Sequence, residues 1–116
     1  MANRLDKSEI LRYRKDFNHI FINGQIMSST YITIRYCPSQ KRRVAFLVSN
    51  QVSKKAVLRN RIKRYLREIY RTHKDHFLDN YDYVFIARPK AVELNFLTMR
   101  NEVLSLTDQI KKQVLN

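Results

Sequence analysis

Cationic side chains are concentrated in one short stretch of the chain, which makes that stretch the first place to look for chemistry. Between Val57 and Arg71 the sequence has six cations and a single acid, Glu68. Spacing by four puts some of the cations on one side of a helix (Arg59, Lys63, Arg67 and Arg71) and apolar residues on the other (Leu58, Ile62, Tyr65, Leu66 and Ile69). Cations four residues apart repel each other unless an anion lies across them, and the planar guanidinium of arginine suits phosphate. This stretch therefore predicts a helix that binds a phosphate-bearing polyanion.

Groups of residues that form catalytic or metal sites are scarce in the rest of the sequence. Two of the three histidines are three positions apart, but a zinc site would need two more ligands, and the single cysteine, Cys37, is distant. Asp75, Asp79 and Asp82 are close together in the sequence, but a solvated turn explains them more simply than a set of metal ligands in a nuclease does. A phosphate-binding loop needs several glycines, and Gly24 is the only one in the chain. We therefore expect no catalytic residue and no metal ligand in the protein.

The net charge of the whole chain indicates the same kind of partner. Its 116 residues include 23 Lys and Arg against 10 Asp and Glu, a formal charge of +13, and binding to a polyanion offsets the resulting self-repulsion. The length suits a single domain over residues 1–116. No stretch approaches the roughly 18 apolar residues of a membrane-spanning helix, and the N-terminus lacks the apolar core of a signal peptide. We expect a cytoplasmic protein with no membrane partner.

Hydrophobic periodicity predicts the elements that must position the basic helix. In chain order they are a helix over residues 14–23, strands over 31–37 and 43–49, a helix over about 57–73, a strand over 81–87 and an amphipathic C-terminal helix. An additional short strand is predicted over residues 25–28. This order predicts an α+β fold, with helices packed on one sheet.

Turn-forming residues predict how these elements are joined. Gly24 follows the first helix at the place of a left-handed C-terminal cap. Pro38 ends the strand over 31–37 and begins a polar turn, so the strands over 31–37 and 43–49 are predicted to pair as an antiparallel hairpin. No apolar period is established before about Arg12, and we expect residues 1–11 to be flexible.

Several motifs together resemble the bacterial ribonuclease P protein subunit. Arg59-Asn60-Arg61-Ile62-Lys63-Arg64, followed by Leu66-Arg67-Glu68, is similar to the signature helix of that family, its RNR motif. Arg14-Lys15-Asp16-Phe17, with Phe21 and Gly24, resembles the family's first helix. Residues 44–49 and 83–87 resemble two of its strands. The resemblance covers nearly the whole chain. It departs from the family after Ser49, where many members have two lysines and this chain has Asn50 and Gln51, with Lys54 and Lys55 following later.

The resemblance implies a fold, a function and a set of site residues. The family fold is a four-stranded sheet with three helices, αβββαβα, and a left-handed βαβ crossover. Its members bind a catalytic RNA and the single-stranded 5′ leader of precursor tRNA, and promote endonucleolytic removal of the leader. Catalysis belongs to the RNA, with Mg²⁺ bound mainly by that RNA. Carried over by position, the RNA-binding residues are Arg59, Asn60, Arg61, Lys63, Arg64, Arg67, Lys54 and Lys55, and those of the leader cleft are Phe17, Phe21 and Arg35.

Two other classes of protein remain open on the residues alone. One is a ribosomal or general RNA-binding protein of similar α+β build with no enzymatic role. The other is a DNA-binding transcription factor that places the basic helix in a major groove. That class requires a second helix and a short turn before the basic helix, whereas here a strand and a basic loop are predicted, so we expect no DNA partner.

Overall fold

The computed structural model of the chain describes residues 5–116. The helices and strands of this part are α1 (Arg14–Asn23), β1 (Gln25–Ser28), β2 (Ile32–Pro38), β3 (Arg43–Leu47), α2 (Ala56–Thr72), β4 (Tyr81–Ala87) and α3 (Phe96–Leu115). Short 3-10 turns lie at Lys7–Glu9, Lys74–His76 and Pro89–Glu93. The predicted α+β fold and the order αβββαβα are confirmed.

The four strands form one mixed sheet in the order β1-β2-β4-β3. β2 is antiparallel to both β1 and β4, whereas β3 is parallel to β4. The predicted hairpin of β2 and β3 is therefore wrong. The polar turn between them does reverse the chain, but β4 is the strand most buried on both faces and takes the place between them. Parallel pairing of β3 with β4 requires a crossover connection, which contains α2.

The two faces of the sheet belong to two separate hydrophobic clusters. The larger cluster lies on the face covered by α2 and α3, and includes Ile34, Val44 and Phe85. The smaller one lies under α1 and consists of Leu11, Ile20, Cys37, Ala45 and Val84. Because Val44 and Ala45 are consecutive in β3 and belong to different clusters, β3 contributes buried residues to both faces of the sheet.

Gly24 has a different role from the predicted one. Its backbone is extended, with φ −79° and ψ 166°, so it is not a left-handed cap. A Cβ at this position would lie 2.5 Å from the carbonyl oxygen of Ile20 and 2.9 Å from that of Tyr36. Glycine is therefore required here because the end of α1 passes close to the backbone of β2.

The N-terminal segment is in contact with β3 and α2. Leu11 is buried in the smaller cluster, and its N–H donates to the carbonyl oxygen of Val44 over 2.9 Å. The carboxylate of Glu9 accepts hydrogen bonds from the Tyr70 hydroxyl and from Lys74 Nζ, the latter at 2.8 Å. Flexibility is predicted over residues 1–11, whereas in the structure these hydrogen bonds anchor the chain from Glu9 onward. Residues 1–4 lie outside the described residues.

Candidate nucleic-acid interface

Helix α2 is held on the sheet by the apolar side of its sequence pattern. Of the five apolar residues predicted to face the core, Ile62, Leu66 and Ile69 are buried, and the other two are half-buried. Tyr70 is also fully buried, because its ring packs against Phe46 and Phe77. The opposite side of α2 is thereby turned away from the sheet, and this places its cations at the surface.

The outer side of α2 presents exposed polar and cationic groups. Asn60, Arg64 and Arg67 are exposed. Within residues 5–116, Arg64 and Arg67 form no ion pair with any carboxylate. These two guanidinium groups are available to phosphate, for which their geometry is well suited.

Three other residues of the predicted interface lie on the flanks of α2. Arg59 donates from Nη1 to the carbonyl oxygen of Ser53 over 2.9 Å, which ties the preceding loop to the helix. Lys63, one turn later, is half-buried. Arg61 points to the other flank, where Nη2 donates to the carbonyl oxygen of Val92 over 3.3 Å and Nε is buried without a partner. The predicted four-residue stripe is therefore not uniformly exposed, and Arg61 joins α2 to the turn before α3.

The loop before α2 is anchored by valines and carries its charge at its end. Val48 and Val52 are buried, so the chain between β3 and α2 is fixed to the core at two points. Asn50 is exposed between them. Lys54 and Lys55 are exposed and immediately precede the helix, with Lys55 as its N-cap residue. The two lysines thus extend the cationic surface of α2 to its positive dipole end.

The structure brings the three residues predicted for the cleft together, with Phe21 in contact with both of the others. The rings of Phe17 and Phe21 are stacked with centroids 6.5 Å apart. The guanidinium carbon of Arg35 lies 4.8 Å from the centroid of the Phe21 ring, and its Nη1 donates to the Phe21 carbonyl oxygen over 3.4 Å. Phe17 is partly buried against the smaller core cluster, whereas Phe21 is 39% exposed. The arrangement combines aromatic faces with a cation, as in surfaces that stack nucleic-acid bases.

Two apolar residues missed by the sequence reasoning extend this surface. Ile26 is paired with Arg35 across β1 and β2 and is 51% exposed, and Leu47 at the end of β3 is 37% exposed. Ala45, two positions before Leu47, belongs to the cluster under α1, so Leu47 is on the same face of the sheet. Strand alternation alone could not identify them, because it does not show which part of the face α1 leaves uncovered. Together with Phe17, Phe21 and Arg35 they form what we call the open cleft.

The single cysteine, Cys37, is buried and is a poor nucleophile. Burial, together with the nearby Asp82, raises the pKa of the Cys37 thiol, which disfavours the reactive thiolate. In residues 5–116 no three His, Cys, Asp or Glu side chains are grouped so that they could hold a metal ion, so these side chains do not fit a bound Mg²⁺. In the same part of the chain, no helix has the length and apolar character to span a membrane.

Comparison with known proteins agrees with the fold. The family model described as Ribonuclease P matches residues 5–111. The chain is 34% identical over 111 residues to the ribonuclease P protein component of Petrotoga mobilis, covering 90% of this chain and 93% of that protein. It is similar in structure to the RNase P protein of Staphylococcus aureus, with a TM-score of 0.82, 29% identity and coverage of 90% and 97%. For the RNase P protein from Thermotoga maritima the TM-score is 0.79, the identity 32% and the coverage 87% and 96%. This chain therefore belongs to the ribonuclease P protein component family, whose members are subunits of the ribonucleoprotein endonuclease that processes the 5′ end of tRNA.

Proposed function

We propose that this protein binds the RNA subunit of ribonuclease P through α2 and its preceding loop, and the 5′ leader of precursor tRNA through the open cleft. The observation that carries the proposal is the pair of exposed guanidinium groups of Arg64 and Arg67 on the outer side of α2. Arg64 and Arg67, with Lys54 and Lys55 before them, have no anionic partner in residues 5–116. Phosphates of RNA supply such partners and release counterions on binding.

The open cleft supports the second part of the proposal. A single-stranded leader exposes base faces, which stack on Phe and Tyr rings and on arginine planes. Phe21 and Arg35 offer both kinds of surface, and the exposed Leu47 lies where β3 leads into the basic loop. A strand lying in the cleft would thus meet cations at its end near α2, so one RNA substrate could contact both surfaces.

In this proposal the protein positions substrate and screens charge, and the RNA subunit carries out the hydrolysis. Two polyanions repel each other, and a protein of charge +13 reduces that repulsion. Mg²⁺ is held mainly by the RNA, which supplies the activated water. We also propose a cytoplasmic site of action, with precursor tRNA as substrate and no DNA or membrane partner.

Reconstitution tests the function as a whole. The purified full chain, freed of RNA, is expected not to cut precursor tRNA. Addition of a bacterial ribonuclease P RNA and Mg²⁺ at low salt is expected to give cleavage at the mature 5′ end, faster than with the RNA alone. No gain over the RNA alone would contradict the proposal and favour a general RNA-binding protein.

The open cleft is tested by Phe21→Ala, with Ile22→Ala as its control. Ile22 is the next residue of α1 and is 79% exposed, with no part in the aromatic cluster. Phe21→Ala is expected to cost about 1–3 kcal/mol in holoenzyme binding to substrate with a long leader. Binding to mature tRNA should be unchanged. Equal losses for both RNAs, or the same loss in the control, would remove Phe21 from leader binding.

The cationic side of α2 is tested by the pair Arg64→Ala and Arg67→Ala. The matched pair Lys90→Ala and Lys112→Ala removes two exposed cations elsewhere, beyond β4 and near the end of α3. Losing phosphate contacts is expected to flatten the log–log salt dependence of RNA binding by up to about 0.9 per contact, the value for B-DNA. A salt slope equal to that of the matched pair would show that α2 does not touch phosphate.

A further inference from the structure

A hollow of about 340 Å³ lies between the N-terminal segment, the start of α1 and the loop between β2 and β3. None of the residues assigned above to α2, its loop or the open cleft lines it. Its walls are Lys7, Ser8, Ile10, Arg12, Tyr13, Asp16, Lys41 and Arg43. A second hollow of about 490 Å³ adjoins it, since both share Lys41 and Arg43. The volume falls within the range of about 300–1,000 Å³ that is typical of ligand sites.

The charges that line this hollow are strongly unbalanced. Arg43 is neutralised, because both oxygens of Asp82 accept from it at 2.8 and 2.9 Å and Asp16 accepts from Nη1 at 3.2 Å. These bonds also fix the guanidinium as part of the wall. The other three cations, Lys7, Arg12 and Lys41, are exposed and form no ion pair within residues 5–116. Three unpaired cations around one hollow favour an anion.

Tyr13 supplies an aromatic wall. Its side chain is 66% exposed, and its ring stacks on no other ring of the described chain. An exposed tyrosine beside cations is the combination that holds single-stranded nucleic acid, with phosphate on the cations and a base on the ring. The hollow therefore has the groups needed for both ends of a nucleotide.

We propose that this hollow binds one nucleotide of an RNA strand, with its phosphate at Lys7, Arg12 and Lys41 and its base on Tyr13. The proposal rests on the function proposed above and adds a contact point to it. α1 starts at the hollow and carries Phe17 and Phe21 one and two turns further along, and neither phenylalanine lines the hollow. The nucleotide belongs either to the catalytic RNA or to the leader strand, and both present the same chemistry.

Substitutions at the hollow test the proposal in the full chain. We would compare Tyr13→Ala and the charge-reversing pair R12E/K41E with the equally charge-reversing pair K90E/K112E, which lies outside the hollow. One arm measures protein affinity for a ribonuclease P RNA, and the other measures holoenzyme affinity for precursor tRNA with a long leader. Relative to the control pair, we expect about a tenfold loss in one arm for each hollow variant. Loss in the first arm assigns the nucleotide to the catalytic RNA, and loss in the second assigns it to the leader.

Losses no larger than those of K90E/K112E in both arms would overturn the proposal. Thermal melts would accompany the affinities, and the exposure of the substituted side chains predicts unchanged melting temperatures. A direct probe is titration of the free protein with adenosine 5′-monophosphate, followed by backbone amide NMR. Saturable shifts at Arg12, Tyr13 and Lys41 are expected, whereas shifts spread evenly over all exposed cations would contradict a site. A different result would contradict the function proposed above: the variant with both Arg64→Ala and Arg67→Ala would bind RNA as well as the wild type does.

Discussion

The contact of Glu9 with the end of α2 makes a sharp prediction for Glu9→Gln. The Glu9 side chain is 17% exposed and accepts from Lys74 Nζ at 2.8 Å and from the Tyr70 hydroxyl. Tyr70 in turn accepts from Arg42 Nε at 2.9 Å. A hydrogen bond to a charged group contributes roughly 1.5–3 kcal/mol, against about 1 kcal/mol for a neutral one. Removing the charge while keeping an amide oxygen should thus cost about 1–3 kcal/mol of unfolding free energy at pH 7.

The pH dependence of this cost follows from the pKa of Glu9. Burial alone would raise that pKa, but hydrogen bonds from Lys74, Tyr70 and the Asp6 N–H outweigh it, so the pKa lies below its ordinary 4.5. A carboxyl with a depressed folded-state pKa stabilises the fold above its unfolded pKa, and this stability is lost as the pH falls through the folded pKa. The difference between wild type and Glu9→Gln should therefore be full above about pH 5 and shrink in more acidic solution.

Urea denaturation at pH 7 and at pH 3 measures both effects. Glu93→Gln is the control, because Glu93 is exposed at the end of the turn before α3 and forms no ion pair within residues 5–116. It should change the unfolding free energy by no more than about 0.5 kcal/mol. Equal values for Glu9→Gln and Glu93→Gln at pH 7 would refute the reasoning, as would a difference that does not shrink in acid.

Three further substitutions, one of them compared with Arg67→Ala, test the fold around the site. Gly24→Ala should lose roughly 1–3 kcal/mol of stability by denaturant melt, because its Cβ would meet two backbone oxygens at 2.5 and 2.9 Å; an unchanged midpoint would mean that α1 and β2 are further apart. Asp82→Asn removes the carboxylate that accepts from Arg43 with both oxygens, at a position where the Asp82 side chain is only 4% exposed. The unfolding free energy should fall by about 3 kcal/mol in the same assay. No loss would show that Asp16 alone can hold Arg43. Leu66→Ala should cost about 2–5 kcal/mol of stability, since Leu66 is 2% exposed. Arg67 is the next residue and is exposed, so Arg67→Ala should change stability by no more than about 0.5 kcal/mol while it weakens RNA binding. Similar melts for these two variants would contradict the observed orientation of α2.

Each motif that carries the family resemblance consists of residues close together in the sequence. A helix is specified by spacing of three and four residues, which is why the apolar side of α2 and the exposure of Arg67 could be read from their positions. The bounds of α1 were predicted as observed for the same reason. The cations of α2 indicate phosphate whatever the rest of the fold is, because their charge does not depend on long-range contacts.

Arg61 shows where that reasoning fails. Its position in the motif suggests an RNA-facing cation, yet its guanidinium donates to the carbonyl oxygen of Val92 on the turn before α3. Which flank of a helix is covered depends on the elements that pack beside it. The pattern within α2 contains no information about that turn.

The sequence by itself determined the elements, the charge and the chemistry of α2, since each depends on near neighbours in the chain. Only the tertiary structure decided which strands are neighbours, because strand pairing depends on long-range burial, and the most buried strand, β4, took the place beside β2 that the turn had suggested for β3. It likewise gave Gly24 its role, through the approach of α1 to β2. The open cleft exists because α1 covers one part of the sheet face and leaves the rest exposed, and no local pattern records where that cover ends. The hollow at Tyr13 forms where the N-terminal segment and the loop between β2 and β3 meet, which are far apart in the sequence.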